Sequence, residues 1–273
     1  MTYATLMVHL DAGCSNAALL ATAAVQAERF GAGVIGVAAA QPVQIGTCDG
    51  YYSGDFAAAE RGIVDAALER AQSEFRDCAV LAPYAREWRS IPTLAPIADV
   101  VAAEARSADL VIAGIGKRSE TIGNTHADIG DLVLRAGRPV LVVPPAAAPA
   151  VFETVMVAWN DSRECRRAVA DALPFLKRAD RVVVAAVTAE MSEAHIEVGQ
   201  VVAWLERHGV TADRHLSPAG RSVTERLSTI ATEHDADLIV AGAYGHSRIR
   251  EWAFGGVTRD MLLGGNRCAL LSN

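Results

Sequence analysis

The sequence uses one pattern of apolar runs and glycines twice. The segment SADLVIAGIG at 107–116 resembles DADLIVAGAYG at 235–245, and RPVLVVP at 138–144 resembles RCALLSN at 267–273. Short apolar runs of this kind are typical of buried parallel strands. An internal repeat of about half the chain indicates that one folding unit occurs twice, and this restricts the fold more than any other feature.

Apolar runs alternate with helical patterns through both halves. In the first half the pattern predicts strands at 5–10, 34–38, 82–88, 110–113 and 139–143, with helices at 15–30, 56–75, 97–107 and 128–136. In the second half it predicts strands at 155–159, 181–187, 211–216, 238–241 and 268–272, with helices at 164–176, 192–208, 223–234 and 257–263. This alternation predicts an α/β fold with parallel sheets and helices on both faces. The Pro- and Ala-rich segment 144–149 predicts a linker between a domain at 1–145 and a domain at 151–273.

The overall charge and the cysteines exclude several classes of protein. The 273 residues carry a formal net charge of -7, which disfavours a surface that binds nucleic acid. No long uncharged apolar run predicts a membrane span, and the first residues predict a strand rather than a signal peptide. The five cysteines are scattered and form no CxxC pair, which favours a reduced cytoplasmic setting and disfavours a zinc site.

The glycines that follow the apolar run at 238–241 indicate a close approach of the backbone to a ligand. Gly242 and Gly245 interrupt that run, and Gly255-Gly256 precedes the predicted helix at 257–263. Glycine lacks a β-carbon, so such a loop can turn sharply against a bound molecule. Amide groups at the start of a helix favour a phosphate. A strand-to-helix turn without a ligand is the alternative interpretation.

The spacing Gly242-x2-Gly245-x9-Gly255-Gly256-Val-Thr, after the segment DLIVAG, resembles the signature of the universal stress protein family. The segment VAWNDS at 157–162 also resembles the end of that family's first strand. The resemblance is strong in the second half and weak in the first. It implies two tandem flavodoxin-like (Rossmann-like) domains, each with a five-stranded parallel sheet of order 3-2-1-4-5. It also implies that the last strands pair across the domains as a pseudo-dimer, and a homodimer of the chain is a further hypothesis.

In a sheet of that order, ligands bind at the carboxyl edge between the first and fourth strands. The resemblance implies that the second half binds an adenine nucleotide there, ATP with Mg²⁺. It assigns the site to Asn160, Val187, Gly242, Gly245, His246, Arg248, Gly255, Gly256, Val257 and Thr258. Two positions depart from the family pattern. Asn160 replaces the usual Asp, and Gly256 replaces the Ser or Thr of ATP-binding members. The hydroxyl of Thr258, two residues later, is a partial substitute for the missing hydroxyl. A turn residue is the alternative for Asn160, and a solvated loop is the alternative for His246 and Arg248.

The first half departs further from the family pattern. Asp11 keeps the acid after the first strand, and Gly114 and Gly116 keep a glycine turn. However, His126 and Ala127 align with Gly255 and Gly256, and a β-carbon at each position would crowd the phosphates. The first half is therefore expected to bind no ATP, or to bind a different ligand.

The sequence contains no recognisable catalytic motif. A P-loop, a nucleophile elbow and an HExxH segment are all missing. Glu190, Glu193, His195 and Glu197 fall on a predicted helix, where a solvated face is preferred over a metal site. The resemblance implies a regulatory stress-response protein without catalytic residues. A nucleotide-free interaction module is the first alternative, and an ATP-dependent nucleotidyl or phosphoryl transferase is the second.

Overall fold

The computed structural model describes residues 2–42, 54–84, 86–115, 124–145, 147–148, 151–220, 222–243 and 267–273. Ten strands occur in these ranges: β1 Thr5–His9, β2 Gly33–Ala40, β3 Arg86–Pro92, β4 Leu110–Gly114, β5 Val140–Val143, β6 Thr154–Trp159, β7 Arg181–Thr188, β8 Asp213–Pro218, β9 Leu238–Gly242 and β10 Cys268–Ser272. They are accompanied by seven α-helices: α1 Ala17–Phe30, α2 Gly54–Asp77, α3 Ile97–Glu104, α4 Ile129–Ala136, α5 Arg163–Leu176, α6 Met191–Arg207 and α7 Val223–Glu233. The helix predicted at 257–263 lies outside the described residues.

All ten described strands belong to one sheet. Its order is β3-β2-β1-β4-β5-β10-β9-β6-β7-β8, so each half has the predicted order 3-2-1-4-5. Neighbouring strands within a half are parallel. The two halves meet at β5 and β10, which pair antiparallel with Leu270 opposite Leu141. This pairing confirms the expected contact between the last strands of the two halves.

Helices cover both faces of the sheet because the central strands are apolar on both sides. Along β1, Leu6 and Val8 belong to the core under α1, α2, α5 and α6, whereas Met7 belongs to the core under α3, α4 and α7. Side chains along a strand alternate between faces, so a run without polar residues serves both cores. The predicted three-layer α/β architecture is therefore confirmed.

An aromatic cluster joins the two halves away from the β5–β10 pair. The ring of Phe175 in α5 lies 5.1 Å from Phe30 of α1, 5.4 Å from Tyr3 and 5.6 Å from Phe152, measured between centroids. The Tyr3 hydroxyl donates to the carbonyl of Asp171, and burial raises the pKa of this phenol. Edge-to-face contacts of this kind add to the apolar burial that holds the halves together.

The repeat is also visible in two aspartates that precede equivalent strands. Asp109 lies before β4, and its carboxylate accepts hydrogen bonds from the backbone amides of Ala4 and Thr5 at 2.8 and 3.0 Å. Asp237 lies before β9 and accepts from the amides of Glu153 and Thr154 at 3.0 and 2.9 Å. Each aspartate therefore fixes the start of the central strand of its half.

The third strand is the element whose predicted position differs most. The sequence predicts a strand at 82–88, but β3 runs from Arg86 to Pro92 and follows a turn of 3-10 helix at Ala79–Leu81. This strand lies at the edge of the sheet and is mostly exposed, so its apolar pattern is weak. Its position is fixed by pairing with β2 and by the packing of Trp88 on Phe75 at 5.5 Å. Among the described helices, none is long and apolar enough to cross a membrane.

Candidate functional site

Three residues that the sequence assigns to the nucleotide site meet at one edge of the sheet. Asn160 follows β6, Val187 lies near the end of β7, and Gly242 ends β9. Since β6 pairs with both β7 and β9, its register brings these positions to nearly the same level at the carboxyl edge. The strand order reverses between β6 and β9, which is where ligands bind in open parallel sheets. The other predicted site residues lie outside the described residues: Gly245, His246, Arg248, Gly255, Gly256, Val257 and Thr258.

Gly242 is required at the end of β9 because the first turn of α5 packs directly on it. A β-carbon at this position would lie 2.3 Å from the amide nitrogen of Cys165 and 2.5 Å from the carbonyl carbon of Glu164. Both are backbone atoms, so no side-chain movement can relieve the overlap. The equivalent glycine of the first half, Gly114, has only the carbonyl oxygen of Val143 nearby, at 3.9 Å. The need for glycine at 242 therefore comes from helix packing, a reason that the sequence pattern does not reveal.

Asn160 takes part in the turn that leads into α5. Its side-chain oxygen accepts a hydrogen bond from the Ser162 hydroxyl at 2.8 Å, and its carbonyl accepts from the Ser162 amide at 2.8 Å. Ser162 is the N-cap of α5 and accepts from the Cys165 amide at 3.1 Å. Asn160 itself is exposed at the edge of the crevice. Asn160 therefore has the turn role that was the alternative interpretation, and it is also exposed enough to contact a ligand.

The first turn of α5 contains a buried carboxylate that sequence reasoning did not single out. Glu164 is only 6% exposed, and its Oε1 accepts from the exposed Arg163 at 2.9 and 3.0 Å. An acidic residue in a first turn is favoured by the helix dipole, but it also disfavours a second anion at the same helix end. The only available signal was the acidic residue two positions after the Ser162 cap.

The corresponding crevice of the first half contains its own side chains. Asp11, which follows β1, is 7% exposed and accepts hydrogen bonds from the Thr125 hydroxyl at 2.5 Å and from the Gly13 amide at 2.8 Å. The Nδ1 of His126 lies 3.4 Å from the second carboxylate oxygen. Burial raises the pKa of Asp11, but the hydrogen bonds from His126, Thr125 and Gly13 outweigh it, so the net shift is downward.

Asn16 and Glu74 form further hydrogen bonds that stabilise the turn at Asp11. The Asn16 side chain accepts from the Asp11 amide at 2.9 Å and donates to the Asp11 carbonyl at 3.1 Å. The carboxylate of Glu74 in α2 in turn accepts from the backbone amide and the side chain of Asn16, at 2.7 and 2.8 Å. The carboxylate and the backbone groups of Asp11 therefore already have hydrogen-bond partners within the protein.

His9 lies beneath this turn, at the end of β1. It is 3% exposed, and its Nε2 has no hydrogen-bond partner among the described residues. Burial lowers the pKa of His9 to about 4, with a smaller opposing effect from Asp11 and a reinforcing one from His126. The imidazole is therefore neutral near pH 7.

The remaining residues that the sequence raised as candidates are Cys165 and the group at the start of α6. Cys165 is buried with its Sγ 3.4 Å from the Ala158 carbonyl, and burial raises the pKa of this thiol to about 11, as expected for a packing residue. Glu190, Glu193 and His195 are exposed on or next to the first turns of α6. Among the described residues, no group of three His, Cys, Asp or Glu side chains is arranged to hold a metal ion.

Comparison with known proteins supports the fold directly. No model of a protein family matches the sequence, and no curated protein matches it. Among solved structures, a universal stress protein from Archaeoglobus fulgidus DSM 4304 matches with a TM-score of 0.71 at 12% identity, covering 98% of this chain and 96% of its own. A protein of unknown function from Pseudomonas aeruginosa PAO1 matches with a TM-score of 0.62 at 14% identity, covering 99% of this chain and 92% of its own. A protein assigned to the universal stress proteins from Pseudomonas aeruginosa UCBPP-PA14 gives a TM-score of 0.58 at 15% identity, covering 98% and 92%.

Each of these matches covers nearly the whole chain. The structural similarity therefore extends over both halves and is not limited to a single domain. At such identities the likeness shows the fold. The chain therefore has the fold of the universal stress proteins.

Proposed function

We propose that the second half binds an adenine nucleotide, ATP with Mg²⁺, and that nucleotide occupancy regulates a stress response. The observation that carries the proposal is the convergence of Asn160, Val187 and Gly242 at the carboxyl edge. This edge lies at the point where the strand order reverses. The glycine-rich sequence that continues from Gly242 supplies the backbone amides that a phosphate requires.

The chemistry of the three residues suits the nucleoside part of the ligand. The Asn160 side chain is exposed and can both donate and accept a hydrogen bond, as an adenine edge or a ribose hydroxyl requires. Val187 is half-buried and provides backbone groups near the end of β7. Asn160 follows β6 and Val187 lies on β7, so both lie on the β6 side of the crevice, opposite β9.

The phosphates are assigned to the glycine-rich segment rather than to the N-terminus of α5. The Ser162 hydroxyl already accepts from the Cys165 amide at that helix end, and the buried carboxylate of Glu164 lies in the first turn. A phosphate next to Glu164 would face a like charge in a poorly solvated place. The proposal therefore places the triphosphate along residues 242–258, which include His246 and Arg248 as cationic partners.

The first half is not part of the proposed site. Its equivalent acid, Asp11, accepts hydrogen bonds from Thr125 and Gly13 and lies beside His126. A nucleotide would have to displace these partners. A buried carboxylate would then lose the hydrogen bonds that stabilise its charge, which is unfavourable. We therefore propose one nucleotide per chain.

We propose binding and regulation rather than turnover. Among the described residues, the carboxylates of Asp161 and Glu164, which follow Asn160 in the sequence, are each paired with an arginine of α5. A carboxylate in such a pair is a poor general base because the cation stabilises its charged form.

A nucleotide-free interaction module is the competing function. The hydrogen bond between Asn160 and Ser162 favours it, because it gives Asn160 a structural role without any ligand.

The experiment is mass spectrometry of the small molecules released when the freshly purified protein is denatured, followed by calorimetric titration of the stripped protein with ATP and Mg²⁺. Release of an adenine nucleotide in a ratio of one per chain, and binding with the same stoichiometry, would support the proposal. A ratio of two would show that the first half also binds. Absence of both released nucleotide and calorimetric signal would overturn the proposal in favour of the interaction module.

A further inference from the structure

A second cavity lies in the C-terminal half, between α5 and α6. It has a volume of about 400 Å³, which is within the range of pockets that bind small molecules. Its lining residues come from the end of β6 and from the facing sides of both helices: Trp159, Asp161, Arg166, Val169, Glu197, Gln200, Val201 and Trp204. The four residues of α6 follow the spacing i, i+3, i+4 and i+7, which places them on one side of that helix.

Two indole rings form most of the apolar part of the cavity, together with Val169 and Val201. Trp159 is 8% exposed at the end of β6, and Trp204 packs against the same core from α6. The ring of Trp204 also packs against His208, with the two ring centroids 4.3 Å apart. Trp159 Nε1 is buried and has no hydrogen-bond partner in the part of the chain that the structure describes. Tryptophan faces attract both aromatic rings and organic cations.

The charges around the cavity favour a cation. Arg166 is engaged at the rim, where its Nε and Nη2 donate to Asp161 Oδ1 at 3.0 and 2.6 Å. Glu197 is half-buried and forms no ion pair within 4.0 Å among the described residues. Its charge has only a small effect on the pKa of Arg166, whose ion pair is with Asp161. Two carboxylates and one guanidinium leave the lining with one negative charge in excess. A ligand with one positive charge would neutralise it.

We propose that this cavity is a binding site for a small protonated amine that carries an aromatic ring. The ring lies against Trp159 and Trp204, and the ammonium group lies next to Glu197. The cavity lies between α5 and α6, whereas the proposed nucleotide crevice lies between the ends of β6 and β9. The two sites are neighbours, because Trp159 and Asp161 flank Asn160. The proposal rests on the lining of the cavity and not on nucleotide binding.

The test compares phenethylamine with 2-phenylethanol, which has the same ring and chain length but no charge at neutral pH. Calorimetric titration of the full chain is expected to show saturable binding of the amine, with the alcohol about tenfold weaker. The Glu197→Gln variant should bind the amine about tenfold more weakly, because Gln keeps the size of the side chain and removes its charge. Glu206→Gln is the matched control, since Glu206 is exposed on the same helix and does not line the cavity.

Nuclear magnetic resonance of the indole N–H groups locates the binding. Addition of phenethylamine should shift the signals of Trp159 and Trp204, assigned with the Trp159→Phe and Trp204→Phe variants, and leave that of Trp88 in place. The proposal is overturned if the amine does not bind at millimolar concentration, or if it shifts neither of these two signals. It is also overturned if the amine and the alcohol bind equally well, or if Glu197→Gln and Glu206→Gln bind the amine alike.

Discussion

Gly242 and Cys165 lie so close that the end of β9 and the first turn of α5 are in backbone contact. A β-carbon on Gly242 would lie 2.3 Å from the Cys165 amide nitrogen. This amide already donates to the Ser162 hydroxyl, which fixes the start of α5. The contact therefore sets the floor of the crevice between β6 and β9, whatever binds there.

Substitution of Gly242 should be far more costly than substitution of its counterpart in the repeat. We expect Gly242→Ala to lower the free energy of unfolding by about 3 kcal/mol, because α5 must move away from the sheet to admit the methyl group. Gly114→Ala is the matched control, since its methyl group would meet only a carbonyl oxygen at 3.9 Å. Its effect should be below about 1 kcal/mol. Denaturant unfolding of both variants checks the prediction, and equal stabilities would contradict the backbone contact.

The two repeated aspartates should contribute equally and independently. Asp109→Ala and Asp237→Ala each remove the acceptor of two backbone amides, so we expect each variant to lose about 2 kcal/mol of stability. The two sites share no partner, so the double variant should lose the sum of the two. Unfolding curves of the single and double variants measure this. A negligible loss in either single variant would show that water replaces the carboxylate at no cost.

Acid should destabilise the protein through His9 before it affects the carboxylates. Burial lowers the pKa of His9 from 6.5 to about 4. Between these two pH values the unfolded chain binds a proton that the folded chain does not, so stability falls as the pH falls, by about 3 kcal/mol in total from this group. The lowered pKa of Asp11 acts in the same direction at still lower pH, as its carboxylate becomes protonated.

The His9→Leu variant isolates this contribution. Leucine cannot take up a proton, so the variant should lose less stability than the wild type between pH 6.5 and pH 4. Thermal unfolding of both proteins at a series of pH values measures the difference. Identical slopes in the two proteins would show that His9 does not control the acid response.

The glycine-rich segment should be sensitive to a branched side chain if it binds phosphates. We expect Gly245→Val to weaken ATP binding by at least about tenfold, since a β-carbon prevents the close approach of the backbone. Gly220→Val is the control, because Gly220 is exposed, has open space for a β-carbon and follows β8 outside the proposed site. Calorimetry on both variants, with their folding checked by circular dichroism, tests the assignment. Tight ATP binding by a folded Gly245→Val variant would place the phosphates elsewhere.

Nucleotide-binding measurements also test the role of Asn160, which stands where the family pattern has Asp. An aspartate at this position would still accept the hydrogen bond from Ser162, so Asn160→Asp should leave stability nearly unchanged. It would replace an amide that donates and accepts by a carboxylate that only accepts. We expect the variant to change the preference between adenine and guanine nucleotides in competition experiments. An unchanged preference would indicate that Asn160 serves only the turn.

The sequence by itself determined the repeat and the order of the elements, whereas the sheet order of each half was expected only from the resemblance to a known family. These features depend on local patterns, such as apolar runs that must be buried and Gly31 in a left-handed conformation at the end of α1. Such patterns can be read residue by residue, and the last strand, Cys268–Ser272, coincides with its prediction. The edge strand β3 was misplaced because exposure on one side removes most of the apolar signal.

The tertiary structure decided which groups meet at the two crevices. It brought Thr125 and His126 to Asp11 across more than a hundred residues, and it placed Glu164 and Cys165 against Gly242. It also opened a cavity between Trp159 and Trp204. Contacts of this kind depend on how closely a helix packs on the sheet, and packing distance is a property of the assembled layers that no local pattern encodes.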